Sequence, residues 1–203
     1  MKFRLHPVLL PLFVFLAVMD GLAAYATVFV SLLVHEAGHI LAALFFGMRI
    51  RSVTIYPYGG ELIIPRKEEH PKPAQFLLAL GGPAATALLL AAAWTVPFPG
   101  AEDVIRVQLV ILLVNLLPVL PLDGGQALLV LLESESSRHA DHTAFVLFSI
   151  AFLLTGCGLL LTGLPETMLL LALAVFLCLQ NISAFRYRRY RRVYDRLKRK
   201  ILT

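Results

Sequence analysis

Six apolar runs separated by short polar stretches dominate the chain: roughly Pro7–Met19, Leu22–Phe46, Phe76–Val96, Val104–Leu120, Ala144–Leu161 and Met168–Ala184. About 20 apolar residues in helical form cross the hydrocarbon layer of a bilayer, so each run reads as a transmembrane helix, the first a short one. Only Asp20-Gly21 separates the first two runs, which predicts a tight turn between antiparallel helices. Lys2 and Arg4 ahead of an apolar stretch also suit a signal peptide, but no small-residue cleavage site precedes Asp20, and the membrane-helix reading is kept. Between the second and third runs the pattern changes. Ile50, Val53, Ile55, Tyr56, Leu62, Ile63 and Ile64 are strand formers, interrupted by Tyr58-Gly59-Gly60. They predict a short β-hairpin over Arg49–Pro65 that dips towards the membrane, the alternative being an interfacial loop. The expected fold is an all-α polytopic membrane protein of about six transmembrane helices with one short membrane-associated β-hairpin.

Composition agrees. Of 203 residues, 59% are hydrophobic and 15% charged, with mean hydropathy +0.80. A soluble domain is nearer one half apolar and about one quarter charged, and so small a globule could not hide this surface. Disorder, a coiled coil and a disulfide scaffold are excluded on the same grounds. Cys157 and Cys178 lie in separate apolar runs, where a thiol acts as a small hydrophobe.

The net charge of +5 suggests nucleic acid until the charges are placed. All 18 Lys and Arg except Arg106 fall at the chain ends or in the 47–75 and 133–143 loops, whereas the other loops carry Asp20, Glu102, Asp103 and Glu166. Cytoplasmic loops collect Lys and Arg, so both termini are expected to be cytoplasmic and no nucleic-acid partner is needed. Half of the basic residues lie in Arg186–Lys200, interleaved with Phe185, Tyr187, Tyr190, Tyr194 and Leu197. That pattern suits a helix lying on anionic lipid, or a plain positive-inside anchor. The expected division is a transmembrane domain over 1–185 and a basic juxtamembrane helix over 186–203.

Candidate chemistry is concentrated. The second run contains His35-Glu36-Ala37-Gly38-His39, and residues i and i+4 share a helix face, so both imidazoles can reach one metal ion. Glu36, beside the first of them, can act as base towards a metal-activated water. Three ionisable groups inside an apolar helix are costly and point to function. Catalytic zinc takes three protein ligands and keeps one position open, so a ligand is missing. The one other acid embedded in apolar sequence is Asp123, in Asn115-Leu-Leu-Pro-Val-Leu-Pro-Leu-Asp-Gly-Gly125. Pro118 and Pro121 break the fourth run, and Asp123 either points inward at the metal or caps a following helix, Gly125–Leu132. His70, His139 and His142 lie in polar loops and are read as solvated.

His35-Glu36-x-x-His39 followed much later by Pro-Leu-Asp-Gly resembles the site-2 proteases, intramembrane zinc metalloproteases. The form Asn115-x-x-Pro118-x-x-Pro121-Leu122-Asp123-Gly124-Gly125 is most similar to the sporulation factor IVFB branch, whose members release a transcription factor from a membrane-tethered precursor. The resemblance runs from His6-Pro7 through the hairpin, Gly82-Pro83, the aspartate motif and the basic C-terminal helix. It implies one zinc ion per chain on His35, His39 and Asp123, with Glu36 activating the water. It further implies that Asn115 positions substrate, and that Tyr58, Gly59 and Gly60 belong to an extended edge onto which substrate adds as a strand. It also implies a pro-sigma-like membrane-tethered substrate and regulatory or inhibitory membrane proteins as partners. Many relatives carry a PDZ domain, for which 203 residues leave no room. The IVFB branch carries a nucleotide-sensing CBS domain after the last helix, whereas this sequence stops at Thr203, being either a truncated or a short form, and nucleotide regulation is not expected of it as it stands. Thr86 stands where many relatives place a polar amide. Two rival functions remain at this point: a site-2 protease acting on anti-sigma factors or signal-peptide remnants, and a non-catalytic transporter or metal-binding scaffold built on the same His and Asp.

Overall fold

The computed structural model describes residues 2–19, 21–56, 59–134 and 138–202, with backbone alone for 138–139 and 188–202. The chain divides into two compact units, Met1–Leu117 and Pro118–Thr203.

The first unit holds β1 (Lys2–Leu5), α1 (Leu9–Val18), α2 (Leu22–Phe45), β2 (Ser52–Tyr56), β3 (Gly59–Ile63), α3 (Lys72–Thr95) and α4 (Ala101–Asn115). A helical hairpin joins α1 to α2, with Phe13 edge-on to Tyr25 and Phe29 at 5.7 and 5.6 Å. Asp20 of the expected turn lies outside the described residues; Gly21 donates its N–H to the Leu16 carbonyl at 3.0 Å. The central contact is between α2 and α3. A Cβ on Gly38 would lie 2.2 Å from the Gly81 carbonyl oxygen, and one on Gly81 would lie 2.6 Å from that of Gly38. Two bare backbones therefore touch, the way small residues let membrane helices approach. α4 packs against both α2 and α3.

The hairpin forms as expected, β2 antiparallel to β3 with Val53 opposite Leu62 and Ile55 opposite Gly60. A third strand was not foreseen. β1 pairs parallel to β2, Phe3 with Val53 and Leu5 with Ile55, so the sheet runs β1-β2-β3. Its signal in the sequence is the alternation Lys2-Phe3-Arg4-Leu5, whose two charges equally suit the flank of a membrane helix. The His6 N–H continues the pairing to the Ile55 carbonyl at 2.9 Å.

The second unit holds α5 (Asp123–Leu132), α6 (Arg138–Leu161) and α7 (Met168–Leu202). α6 and α7 pack against each other, and α5 on α6. α6 begins at Arg138, so His139 and His142 belong to its first turns and not to a loop.

Among the described residues, four helical stretches have the length and composition to span a bilayer: Leu22–Phe45, Lys72–Thr95, Ala140–Leu161 and Met168–Tyr187. Large apolar residues stand at their surfaces, Phe45 84% exposed, Trp94 72% and Leu169 83%, as lipid-facing positions require. The other two expected spans are shorter. α1 has 10 residues and α4 has 15, which rise about 15 and about 22 Å, less than the ~30 Å hydrocarbon layer. For α4 the cause is visible in the sequence. Pro118 cannot continue a helix and restricts the residue before it, so the apolar run to Leu120 is only partly helical.

Candidate metal centre

Four residues apart on α2, His35 and His39 bring their Nε2 atoms to 3.3 Å. Their outer nitrogens are both engaged. His39 Nδ1 lies 2.8 Å from the Leu78 carbonyl oxygen, an acceptor only, so this nitrogen carries the proton and donates. The nearby Gly82 N–H, 3.3 Å from the same nitrogen, then has no lone pair to meet. His35 Nδ1 lies 2.9 Å from Thr86 Oγ1, which can accept its proton. When His35 Nδ1 donates to Thr86 as His39 Nδ1 does to Leu78, two Nε2 lone pairs face one another, an arrangement that repels unless a cation stands between them. Two zinc–nitrogen bonds of about 2.05 Å at a tetrahedral angle would set the nitrogens about 3.3 Å apart. The pair fits zinc.

Space is kept for it. A Cβ on Gly82 would lie 2.3 Å from His39 Nε2 and 2.5 Å from His35 Nε2, so α3 offers a bare backbone where the two nitrogens converge. Pro83 follows, lacking the N–H that would continue the backbone ladder. His35 and Thr86 are buried. The Leu78 carbonyl and the Thr86 hydroxyl are the outer partners that orient metal-binding imidazoles.

Glu36, next along α2, lies against β3. A Cβ on Gly60 would come within 2.9 Å of Glu36 Cγ, and one on Gly59 within 3.4 Å of Oε1. Gly59 has φ 137°, a conformation that L side chains rarely adopt. Thus α2 and β3 bring His35, Glu36, His39, Gly59 and Gly60 together. Tyr58 lies outside the described residues. β3 ends the sheet order, so its outer edge has no strand partner among the described residues. Asn115 closes α4, half-buried, and its side-chain amide donates to the Ile111 carbonyl at 3.0 Å.

Asp123 belongs to the second unit, where it is buried as the first residue of α5. The N-cap position of α5 falls on Leu122, one residue before Asp123, which stands in the first turn of the helix. The loop before it is clamped. The Leu120 N–H donates to Ser149 Oγ at 3.2 Å, and its carbonyl accepts from Asn181 Nδ2, which also reaches the Leu177 carbonyl at 2.9 Å. Gln126 Nε2 donates to the Pro121 carbonyl at 2.9 Å. A Cβ on Gly125 would lie 2.4 Å from the Val119 carbonyl oxygen, so the double glycine lets the helix start tight against the loop.

No local motif in the sequence marks Thr86, Gly82, Ser149 or Asn181 as a site residue. Their common signal is a polar or bare position inside an apolar run, where a buried polar group must find a partner.

Comparison with known proteins adds an independent line. The profile of "Peptidase family M50" matches residues 23–100. The chain is 30% identical to stage IV sporulation protein FB of Bacillus subtilis (strain 168), over 98% of this chain and 71% of that one. It is 25% identical to a zinc metalloprotease of Methanocaldococcus jannaschii, over 55% of this chain and 34% of that protein. Among solved structures, a site-2 protease from Methanocaldococcus jannaschii matches with TM-score 0.65 and 21% identity, covering 91% of this chain and 92% of that one, a likeness of fold.

Proposed function

The chain belongs to peptidase family M50, the site-2 proteases, and is an intramembrane zinc metalloprotease; on that premise we propose that it cleaves a membrane-tethered pro-sigma factor, with His35, His39 and Asp123 as zinc ligands and Glu36 as the proton-transfer residue. The observation that carries the site assignment is the 3.3 Å approach of two Nε2 atoms whose Nδ1 atoms are both engaged. Asp123 is taken as third ligand on donor chemistry: zinc needs a third protein ligand, and Asp123 is the other acid set in apolar sequence, at the start of a helix clamped in place.

Zinc, when bound, supplies a Lewis acid for the scissile carbonyl and makes its water acidic enough to attack near neutral pH. The chain's own residues do the rest. The Glu36 carboxylate takes the proton from the attacking water and returns it to the leaving amine. A helical peptide bond is shielded by its own hydrogen bonds, so substrate must be drawn out before attack. The open edge of β3 can hold it extended through main-chain bonds. Gly59 and Gly60 then keep that strand close to Glu36, since any side chain there would press on the carboxylate arm. Asn115 is assigned to substrate positioning on the motif alone.

The pro-sigma substrate is supported by similarity along nearly the whole chain to a sporulation protein. Termini on the cytoplasmic side, proposed from the loop charges, would place the basic segment 186–203 on anionic lipid beside such a substrate. Inhibitory membrane proteins are proposed as further partners on the family resemblance alone.

The test is co-expression of the full chain with three membrane-tethered candidates: a pro-sigma precursor, an anti-sigma factor and a signal-peptide remnant. Processing of the pro-sigma precursor alone is expected on immunoblots. Processing of either other protein with the pro-sigma factor left intact would replace the substrate assignment.

A further inference from the structure

Gln108 is wholly enclosed on α4, and neither its Oε1 nor its Nε2 has a hydrogen-bond partner among the described residues. Buried polar side-chain atoms are nearly always satisfied by protein or by ordered water. Leaving a whole carboxamide bare within a membrane protein, with no bulk water to relax onto, is more costly still. A satisfied alternative is needed.

Position says where it would come from. Gln108, Ile111 and Asn115 follow the i, i+3, i+7 spacing of one helix face, the buried face of α4, and α4 packs against α2 and α3. Counted at about 1.5 Å per residue from the α3–α4 turn, Thr86 lies ~13 Å into α3 and Gln108 ~10 Å into α4. α2 runs antiparallel to α3, and Ser31 lies ~13 Å from its start by the same measure. Ser31, Thr86 and Gln108 are 2%, 0% and 0% exposed. By this count three packed helices carry buried polar side chains at similar depth, on the side of the histidine pair away from the hairpin. Thr86 links that level to His35 through its 2.9 Å contact. A hydroxyl that accepts from His35 still has a proton to donate, and a carboxamide offers two donors and an acceptor. A buried water needs two to four polar partners, and a carboxamide and two hydroxyls at similar depth are groups of that kind.

We propose that Gln108, Thr86 and Ser31 form an internal hydration site, holding water against the His35–Thr86 pair and replenishing the water that each peptide-bond hydrolysis consumes. Replenishment rests on the peptidase reading; hydration does not. Gln108 and Ser31 are water-binding residues here, acting on the reaction through water.

Two measurements separate the halves. In water-edited solid-state NMR on the zinc-loaded full chain in bilayers, polarisation passes from water to nearby amides. The Gln108 side-chain NH2, identified by its loss in Gln108→Met, is expected to build up at least fivefold faster than the backbone amide of fully buried Ala43. No transfer to it would overturn the site, whether or not the chain cleaves anything. In liposomes, Gln108→Met is expected to lower kcat about tenfold with KM, zinc content and Tm unchanged, and Gln108→Asn to recover most of the rate. If Gln108→Met instead kept wild-type kcat and melted higher, Gln108 would be a dry, unsatisfied group and replenishment would be wrong. A wild-type chain that cleaves no substrate while Gln108 still takes up water polarisation would overturn the peptidase reading and leave the hydration site standing.

Discussion

Glu36→Gln is expected to lower the cleavage rate by about 10^2- to 10^4-fold, the usual worth of a positioned proton-transfer group, while zinc content and KM stay at wild-type values. The amide has the shape of the carboxylate, so its packing beneath Gly59 and Gly60 survives. What it loses is the ability to take a proton from the attacking water and return it to the leaving amine. A change confined to the reacting state lowers kcat and kcat/KM together. Rate measurements on purified protein in liposomes, with zinc counted by atomic absorption, check both parts. A rate within a few-fold of wild type would take Glu36 out of the chemistry.

Gly82→Ala is expected to be almost as damaging by a different route, lowering zinc affinity by roughly 100-fold, the upper range for disturbing a ligand's surroundings, with cleavage falling alongside. One methyl group would arrive 2.3 Å from His39 Nε2 and 2.5 Å from His35 Nε2. Neither imidazole can step back freely, because Leu78 and Thr86 hold the far nitrogens. The added group therefore takes the space of the metal. Gly156→Ala is the control: nothing lies within 4 Å of a Cβ there, and zinc binding should not change. Competition with a fluorescent zinc chelator measures both. Wild-type zinc affinity in Gly82→Ala would show that the metal does not lie where the two Nε2 atoms converge.

What the sequence made legible was local. His35 and His39 are paired by helix periodicity, and Glu36 by adjacency. The hairpin is announced by β-branched residues around Tyr58-Gly59-Gly60, and the break after α4 by Pro118 and Pro121. What stayed hidden depended on contacts between distant segments. The hydrogen bonds that set the two imidazoles span 51 and 39 residues, and no local pattern points from Thr86 or Leu78 to α2. β1 was hidden because a four-residue strand carrying Lys2 and Arg4 draws its stability from pairing with β2 and not from its own composition. Gly82 was visible only as half of a Gly-Pro pair; its purpose lies in the space it leaves. Gln108 was lost within an apolar run for the opposite reason, since a single amide barely alters hydropathy and its meaning comes from burial.

A zinc ion held by two imidazoles and a carboxylate is the centre of the chemistry, and X-ray absorption at the zinc edge of the purified, zinc-loaded chain reads that shell directly. Nitrogen and oxygen donors at about 2.0–2.1 Å, with the outer-shell scattering of two imidazole rings and one light donor lost in Asp123→Ala, are predicted. A sulfur donor at about 2.3 Å, a single imidazole, or a shell unchanged by Asp123→Ala would contradict it.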